Sequence, residues 1–311
     1  MVQRQEYCTR KTEQNTQRLE RNRQKTESDR QEVGQNLQKR SRKKWSIPWK
    51  KILDLSLNLL YPRRCPLCDE ILKRRETFCC KSCEKKLPWI RQPFCMKCGK
   101  PLAHMEDEFC DDCSKGTHRF DRGIAPFTYT GALRHSIYRM KKENRRDYLD
   151  FYAEMMAEAL EPYLTVWKPE RILAVPMHWS KKWKRGYNQS ELLAKKVSQK
   201  TGIPYEKNLF ICKKKPQEQK LLGRRERQKN LQGCFALRQG KENGFDRVLL
   251  IDDVYTTGST MDVLADLLKK SGTSYVFFLV LCTGKGKKRV CTGENVCYTK
   301  SESGPFRKGS V

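Results

Sequence analysis

Residues 248–260 constrain the fold of this chain more than any other stretch. Four consecutive aliphatic residues are followed by the acidic pair Asp252 and Asp253, and then by a short loop rich in hydroxyl groups. The aliphatic run, taken to end at the acidic pair, predicts a strand buried on both faces, and the apolar spacing over 261–270 predicts a helix. The loop between them therefore lies at the carboxyl end of a strand, where open α/β sheets bind their ligands.

This loop has the chemistry of a phosphate site. A helix N-terminus offers unpaired backbone N–H groups and a partial positive charge, and a glycine lets a ligand approach the backbone closely. Two carboxylates beside such a site suit a sugar diol and a divalent cation. The expected phosphate-binding residues are Thr256, Thr257, Gly258, Ser259 and Thr260.

Two other interpretations of the stretch are less satisfactory. An aliphatic strand followed by an acidic pair is also typical of a Walker B motif, but the chain contains no G-x-x-x-x-G-K-[ST] sequence, which argues against a P-loop ATPase. A structural helix cap would explain the hydroxyl groups but not the acidic pair before them.

Residues 65–113 contain an internal repeat of cysteine pairs. Two C-x-x-C pairs with eleven residues between them recur thirty residues later in the same register. Four thiolates close the tetrahedral shell of a structural zinc ion and leave no position for a catalytic water. We expect two structural zinc sites, formed either within each repeat or in a cross-braced arrangement. The expected ligands are Cys65, Cys68, Cys80, Cys83, Cys95, Cys98, Cys110 and Cys113.

Three nearby residues are not needed once these cysteine sets are complete. Cys79 precedes a predicted ligand and is interpreted as a spectator, with substitution as a ligand the alternative. His104 and His118 are interpreted as surface residues.

The formal net charge of +29 favours polyanionic partners: nucleic acid, an anionic membrane surface or phosphorylated ligands. The chain has no run of 18 apolar residues and no apolar segment typical of a secretory signal at its start. We therefore expect a cytoplasmic protein without a membrane span.

The chain divides into four predicted regions. Residues 1–44 form a disordered basic arm, which is either a nucleic-acid contact or a solvated tail. Residues 45–118 hold an amphipathic helix at 48–60 and the cysteine module. Residues 119–283 form the α/β domain, and 284–311 form a disordered basic tail.

Alternating strands and helices are expected within the α/β domain. Strands are predicted within 119–130 and at 171–176 and 275–281, and helices at 148–164 and 190–202. The basic segment 177–189, which follows the second strand, is predicted to be a loop and a seat for a diphosphate.

Several motifs occur here in one order. The double cysteine module is followed by Val-Pro-x-His at 175–178, Arg-Gly-Tyr-Asn-Gln at 185–189, Gln-x-x-Leu-x4-Arg-x-x-Asn at 219–230 and the acidic-pair strand at 248–253. With the loop that follows it, the last forms residues 248–260, which resemble the signature of type I phosphoribosyltransferases. The whole order resembles the ComF (ComFC-type) family over roughly residues 45–283.

The resemblance implies a fold class and a ligand. The fold is α/β, a type I phosphoribosyltransferase-like parallel sheet with flanking helices, preceded by a small Cys-rich zinc-ribbon module. The ligand is 5-phosphoribosyl-1-diphosphate with Mg²⁺. Asp252 and Asp253 would contact the ribose hydroxyls and the metal, residues 256–260 the 5-phosphate, and Lys181, Arg185 and Asn188 the diphosphate.

The resemblance also implies a role in natural transformation, in which the protein handles incoming single-stranded DNA with a helicase-type partner. An active phosphoribosyltransferase with an unknown acceptor is the alternative. A zinc-dependent regulator that senses the donor is a third hypothesis.

Overall fold

The computed structural model describes residues 62–73, 76, 78–214, 231, 233–238 and 244–284, and the backbone of 288–292 and 296–300. The predicted basic arm at 1–44, the predicted helix at 48–60 and the motif at 219–230 lie outside the described residues. The residues from Arg63 onward belong to one compact unit. None of the helices described in it is long and apolar enough to cross a membrane.

The strands and helices are numbered in chain order. The strands are β1 (Arg122–Ile124), β2 (Phe127–Thr128), β3 (Arg171–Ala174), β4 (Phe210–Cys212), β5 (Phe235–Leu237), β6 (Arg247–Tyr255), β7 (Tyr275–Thr283), β8 (Lys288–Thr292) and β9 (Val296–Lys300). The helices are α1 (Lys81–Glu84), α2 (Gly131–Lys142), α3 (Tyr148–Leu160), α4 (Leu164–Trp167), α5 (Trp179–Arg185), α6 (Gln189–Thr201) and α7 (Ser259–Lys270).

A parallel sheet forms the centre of the unit. Its strand order is β1–β7–β6–β3, and β2 continues along the same edge of β7 beyond β1. The predicted parallel sheet with flanking helices is confirmed. Outside it, β4 and β5 form an antiparallel pair.

Alternation along the strands directs apolar residues to both faces of the sheet. In β6, Leu249 and Ile251 pack in a core with α2, α3 and α6, whereas Val248 and Leu250 pack in a second core with α7. A strand buried on both faces explains why its sequence is a continuous aliphatic run instead of an alternating one.

Each cysteine repeat packs against a different face. Cys65 of the first repeat belongs to the core that contains α3, and the four cysteines of the second repeat belong to the core that contains α7. The Gly123 N–H of β1 donates to the Lys97 carbonyl of the second repeat at 2.8 Å. A side chain at Gly123 would collide with the Phe278 ring, since an added Cβ would lie 2.1 Å from that ring.

Several predicted boundaries differ in the structure. The strand expected to end at Ile251 continues to Tyr255, because Val254 and Tyr255 still pair with β7. The helix expected over 148–164 ends at Leu160, where Pro162 introduces a 3-10 turn at Glu161–Tyr163.

The predicted loop at 177–189 contains α5. His178 caps this helix by accepting the Ser180 N–H at 3.2 Å, and Gly186 ends it with a φ of 81°. The predicted disordered tail at 284–311 contains the antiparallel pair β8–β9. Valine, threonine and tyrosine residues on either side of a Gly-Glu-Asn segment favour such a hairpin.

Candidate functional site

The eight predicted metal ligands form two groups, one within each repeat. In each group the four sulfur atoms lie within 4.8 Å of one another. The structure therefore favours pairing within repeats over the cross-braced arrangement. Two closed sets of four sulfur ligands fit two structural zinc ions.

The two groups differ in exposure. All four cysteines of the second group are buried, whereas Cys68 of the first is exposed and Cys80 and Cys83 are half-buried. Cys79 lies beside the first group, with its Sγ 3.6 Å from that of Cys65.

The prediction that His118 is a surface residue is wrong, whereas His104 is exposed as predicted. The His118 side chain is buried, and its Nδ1 lies 3.0 Å from both carboxylate oxygens of Asp262 in the first turn of α7. The Arg119 N–H donates to the same carboxylate at 2.9 Å. The chain leaving the second cysteine repeat is thus attached to the helix that follows the hydroxyl-rich loop.

Asp252 and Asp253 lie near the carboxyl end of β6. Ser190 Oγ donates to Asp252 Oδ1 at 2.7 Å, and the Asp253 N–H donates to the same oxygen at 2.9 Å. Gln189 Nε2 donates to Asp253 Oδ2 at 3.1 Å. Burial and the neighbouring Asp253 carboxylate raise the pKa of Asp252 to about 7.

Lys141 is a member of this site that the sequence analysis missed. Its ammonium group, in the last turn of α2, forms an ion pair with Asp253. Burial alone would lower the pKa of Lys141, but the attraction of Asp253 outweighs it and the pKa is raised. Lys141 therefore stays charged and neutralises one of the two carboxylates.

The predicted diphosphate residues surround the same site in different ways. Lys181 and Arg185 project from α5, and Arg185 donates to the Gln189 side chain. Asn188 is buried, where its Nδ2 donates to the Val175 carbonyl at 3.1 Å and its Oδ1 caps α6 by accepting the Ser190 N–H. These contacts give Asn188 a role in holding the β3–α6 connection.

The hydroxyl-rich loop turns sharply into α7. Gly258 precedes the helix with a φ of 81°, and a Cβ there would lie 2.6 Å from the Tyr255 hydroxyl and 2.8 Å from the His118 ring. Thr257 Oγ1 and Ser259 Oγ are 3.0 Å apart. Only a glycine fits this close approach of the loop to the residues beneath it.

A cavity of about 290 Å³ joins these elements at the carboxyl ends of β3 and β6. Of the residues predicted to bind ligand, six line it, while residues 256–259 are not among its lining residues. The polar and charged side chains of its lining include Lys141, His178, Lys181, Arg185, Asn188, Gln189, Ser190, Asp252, Asp253 and Thr260.

Sequence signals existed for some of the missed residues. Gln189 ends the Arg-Gly-Tyr-Asn-Gln motif, Ser190 follows it, and His178 ends the Val-Pro-x-His motif. Lys141 lies in a lysine pair that no motif distinguishes, so only the folded arrangement identifies it.

The chain is similar to known proteins in two parts. Residues 56–114 match the family model of the double zinc ribbon domain. The chain is 38% identical over 109 residues to competence protein F of Haemophilus influenzae, which covers 35% of this chain and 48% of that protein. It is 35% identical over 118 residues to the DNA utilization protein YhgH of Salmonella typhi, which covers 37% of this chain and 49% of that protein.

A third relative extends the match. Competence protein ComFC of Streptococcus pneumoniae is 26% identical over 152 residues, which is 49% of this chain and 64% of that protein. The names of these relatives, together with the double zinc ribbon, support a ComF-type family. In its matches to the competence protein F and YhgH relatives, the chain spans about half of their length.

Phosphoribosyltransferases occur among the similar solved structures. The purine phosphoribosyltransferase from Pyrococcus horikoshii is 16% identical and matches 47% of this chain and 95% of its own, with a TM-score of 0.27. At so low a score the comparison adds nothing to the fold assignment of this chain. That assignment rests on the sheet order and the two four-cysteine groups.

Proposed function

We propose that this ComF-type protein binds 5-phosphoribosyl-1-diphosphate with Mg²⁺ and acts in natural transformation by handling single-stranded DNA. The observation that carries the proposal is the cavity in which an acidic pair, a basic helix and Thr260 of the first turn of α7 meet at the carboxyl ends of parallel strands. Open α/β sheets bind nucleotides and sugar phosphates at this edge.

Charge assigns each part of the ligand to a part of the cavity. Asp252 and Asp253 would face the ribose hydroxyls and Mg²⁺, because carboxylate oxygens are the ligands that this cation prefers. The start of α7 would hold the 5-phosphate on its N–H groups, and Lys181 and Arg185 would hold the diphosphate.

Lys141 adds a requirement to metal binding. The Lys141 ammonium already neutralises Asp253. A cation that binds this carboxylate must therefore displace the ammonium group or share the carboxylate with it. Binding of the negatively charged diphosphate would offset this cost, since the Lys141 ammonium could then pair with a phosphate oxygen. We therefore expect Mg²⁺ to bind together with the ligand and weakly without it.

The DNA-handling part of the proposal rests on different observations. The net charge is +29, and the similar proteins are named competence protein and DNA utilization protein. A strongly basic chain binds nucleic acid mainly through phosphate contacts. In this proposal the protein acts in the cytoplasm, beside a helicase-type partner.

An active phosphoribosyltransferase is the second candidate, and the composition of the cavity favours it. The acidic pair and the basic side chains Lys181 and Arg185 line the same cavity. These groups would position the donor and stabilise the leaving diphosphate.

Calorimetric titration of the full chain tests the proposal. The donor with Mg²⁺ should bind, and Asp253→Asn should weaken that binding. The matched control is Asp246→Asn, since Asp246 is exposed and directly precedes β6, at the amino end of the strand and therefore far from the cavity. Equal affinity of both variants and the unaltered protein would contradict the ligand assignment.

Release of diphosphate decides between the two candidates. Incubation with the donor, Mg²⁺ and a panel of bases, with and without single-stranded DNA, should yield diphosphate only if the protein is a transferase. Donor binding without release would support the DNA-handling candidate.

A further inference from the structure

Helix α5 exposes two tryptophans to solvent. Trp183 is 85% exposed and Trp179 is 71% exposed, and Trp183 is the most exposed large hydrophobic residue in the described part of the chain. The two are four positions apart, so they lie on one face of the helix, roughly 6 Å apart along its axis. Neighbouring exposed indoles of this kind mark an interaction surface.

The rest of the exposed face is basic. Lys182 and Lys184 are exposed beside the tryptophans. Lys182 is paired with Glu191 of α6 at 2.9 Å, whereas α5 itself contains no acidic residue. This combination of flat aromatic rings and positive charges is complementary to the unpaired bases and the phosphates of a single strand.

We propose that the outer face of α5, formed by Trp179, Trp183, Lys182 and Lys184, is a docking surface for single-stranded nucleic acid. The tryptophan rings would stack on unpaired bases, and the lysines would contact phosphates. The proposal rests on the DNA-handling part of the proposed function and assigns that part to a surface.

The two ends of α5 hold this surface in place. At the start, the Ser180 hydroxyl and N–H both contact His178 Nδ1, at 2.8 Å and 3.2 Å. After the end at Gly186, the Tyr187 hydroxyl donates to the Met140 carbonyl, and the Arg146 guanidinium lies 4.5 Å from the Tyr187 ring centroid. A helix fixed at both ends loses little freedom when it binds a strand.

A membrane surface is a less suitable occupant. Helices that lie in a membrane interface bury a continuous apolar face. In α5 the only apolar residues are the two tryptophans, and the other five are serine, lysine and arginine. Two separate indoles among charges fit individual bases better than a lipid surface.

The inner side of α5 connects the surface to the cavity. Lys181 and Arg185 belong to the same helix and line the cavity. A strand on the outer face would therefore run along the cavity rim, and a phosphorylated ligand inside would contact the same seven-residue helix. We expect the two ligands to alter each other's affinity.

Fluorescence anisotropy of a labelled oligo-dT of about 16 nucleotides, with the full-length protein, tests the surface. The double variant Trp179→Leu/Trp183→Leu should bind about tenfold or more weakly. Trp179→Phe/Trp183→Phe should retain most of the affinity, because phenylalanine also stacks. Tyr275→Leu is the matched control, since Tyr275 is an exposed aromatic residue at the opposite end of the sheet.

Salt and duplex controls separate stacking from charge. Lys184→Ala should lower the slope of log affinity against log salt concentration by about one, whereas Lys195→Ala, an exposed lysine of α6, should leave it unchanged. A blunt duplex of the same length should lose little affinity in the double tryptophan variant, because its bases are already stacked.

Three results would overturn the proposal, and each has a distinct meaning. Unchanged oligonucleotide affinity in the double variant would disprove the surface alone. Absence of binding by the unaltered protein would also remove the DNA part of the proposed function. Tryptophan-dependent binding to phosphatidylserine–phosphatidylcholine vesicles, with unchanged oligonucleotide affinity, would identify a membrane contact instead. Donor titration of each variant verifies that the cavity is folded.

Discussion

At the scale of single residues, the acidic pair of β6 lowers the stability of the folded protein in the absence of a ligand. Asp252 has a raised pKa of about 7 against an ordinary value of 3.8. Between these two pH values the folded state binds more protons than the unfolded state, so this group makes stability fall as pH rises. Binding sites commonly retain such destabilising charges because the ligand needs them.

Asp252→Asn removes this effect. The variant should equal or exceed the original protein in stability, with a gain of about 1–3 kcal/mol that is present near pH 8 and shrinks towards pH 5. It should bind the donor more weakly. Urea unfolding at the two pH values measures the first effect and calorimetry the second. A variant that is less stable at pH 8 would show that the carboxylate stabilises the fold.

Lys141→Met leaves Asp253 without its cation. We expect a loss of about 1–3 kcal/mol of stability, because a buried carboxylate would lose its ion pair. Lys142→Met is the control, since Lys142 is the adjacent lysine and is exposed. In the double variant Lys141→Met/Asp253→Asn most of the loss should disappear, because both charges are absent. Additive losses would contradict a direct pair.

At the scale of elements, the second cysteine repeat is attached to α7 next to the hydroxyl-rich loop. The buried contact between His118 and Asp262 joins residues 144 positions apart. Gly258 lies so close to the His118 ring that an added Cβ would be 2.8 Å from it. The position of the loop thus depends on a residue that precedes the whole α/β domain.

His118→Ala should cost about 1–3 kcal/mol, because the buried Asp262 carboxylate would lose a partner. It should also weaken donor binding, because Asp262 lies in the first turn of the helix that follows the loop. His104→Ala should change neither quantity, since His104 is exposed. Thermal unfolding and calorimetry of both variants provide the comparison, and equal effects would exclude a specific role for His118.

Comparison of Gly258→Ala with Gly272→Ala separates the cost of the backbone conformation from the cost of steric crowding. Gly272 also has a positive φ, of 101°, but a Cβ there meets nothing within 4 Å. Gly272→Ala should therefore show only the cost of the backbone conformation, about 1 kcal/mol, while Gly258→Ala adds the collision with Tyr255 and His118. If the two variants lose the same stability in urea unfolding, the loop has room that the structure does not show.

The sequence predicted some elements better than others for physical reasons. The aliphatic run before Asp252 and the spacing of the cysteines are local patterns, so the central strand and both four-cysteine groups could be predicted. Lys141 reaches Asp253 only through the fold, and no local pattern indicates it. The segment that forms α5 resembled a loop because its lysines and Gly186 suggested no apolar face, and its cap is a histidine, which is an unusual capping residue.

At the scale of the whole molecule, the two zinc-ribbon repeats cover both faces of one sheet. The first repeat is held by Arg139, which donates to the Pro66 and Leu67 carbonyls, and by Asp69, which accepts from Arg145 and Tyr148. The second repeat packs in the core that contains α7. Loss of either metal would therefore disturb a different face of the sheet.

Chelation should release zinc in two steps from a chain that binds two ions. The first repeat should lose its ion sooner, because Cys68 is exposed while all four cysteines of the second repeat are buried. Cys80→Ser should abolish the fast step, and Cys113→Ser the slow one. A chromogenic chelator measures both rates, and a single step with two ions would contradict this order.

The sheet order has a consequence for synthesis on the ribosome. Among the described strands, β1 and β2 pair only with β7, and β7 also pairs with β6. A nascent chain that has not yet reached Thr283 therefore lacks all or part of β7. Without it, β1 and β2 have no strand to pair with, and β6 has an unpaired edge. Both ribbons can bind zinc early, yet the surfaces that they cover are completed only by the last strand of the sheet. A truncation before β7 should accordingly leave an aggregation-prone intermediate and not a smaller stable domain.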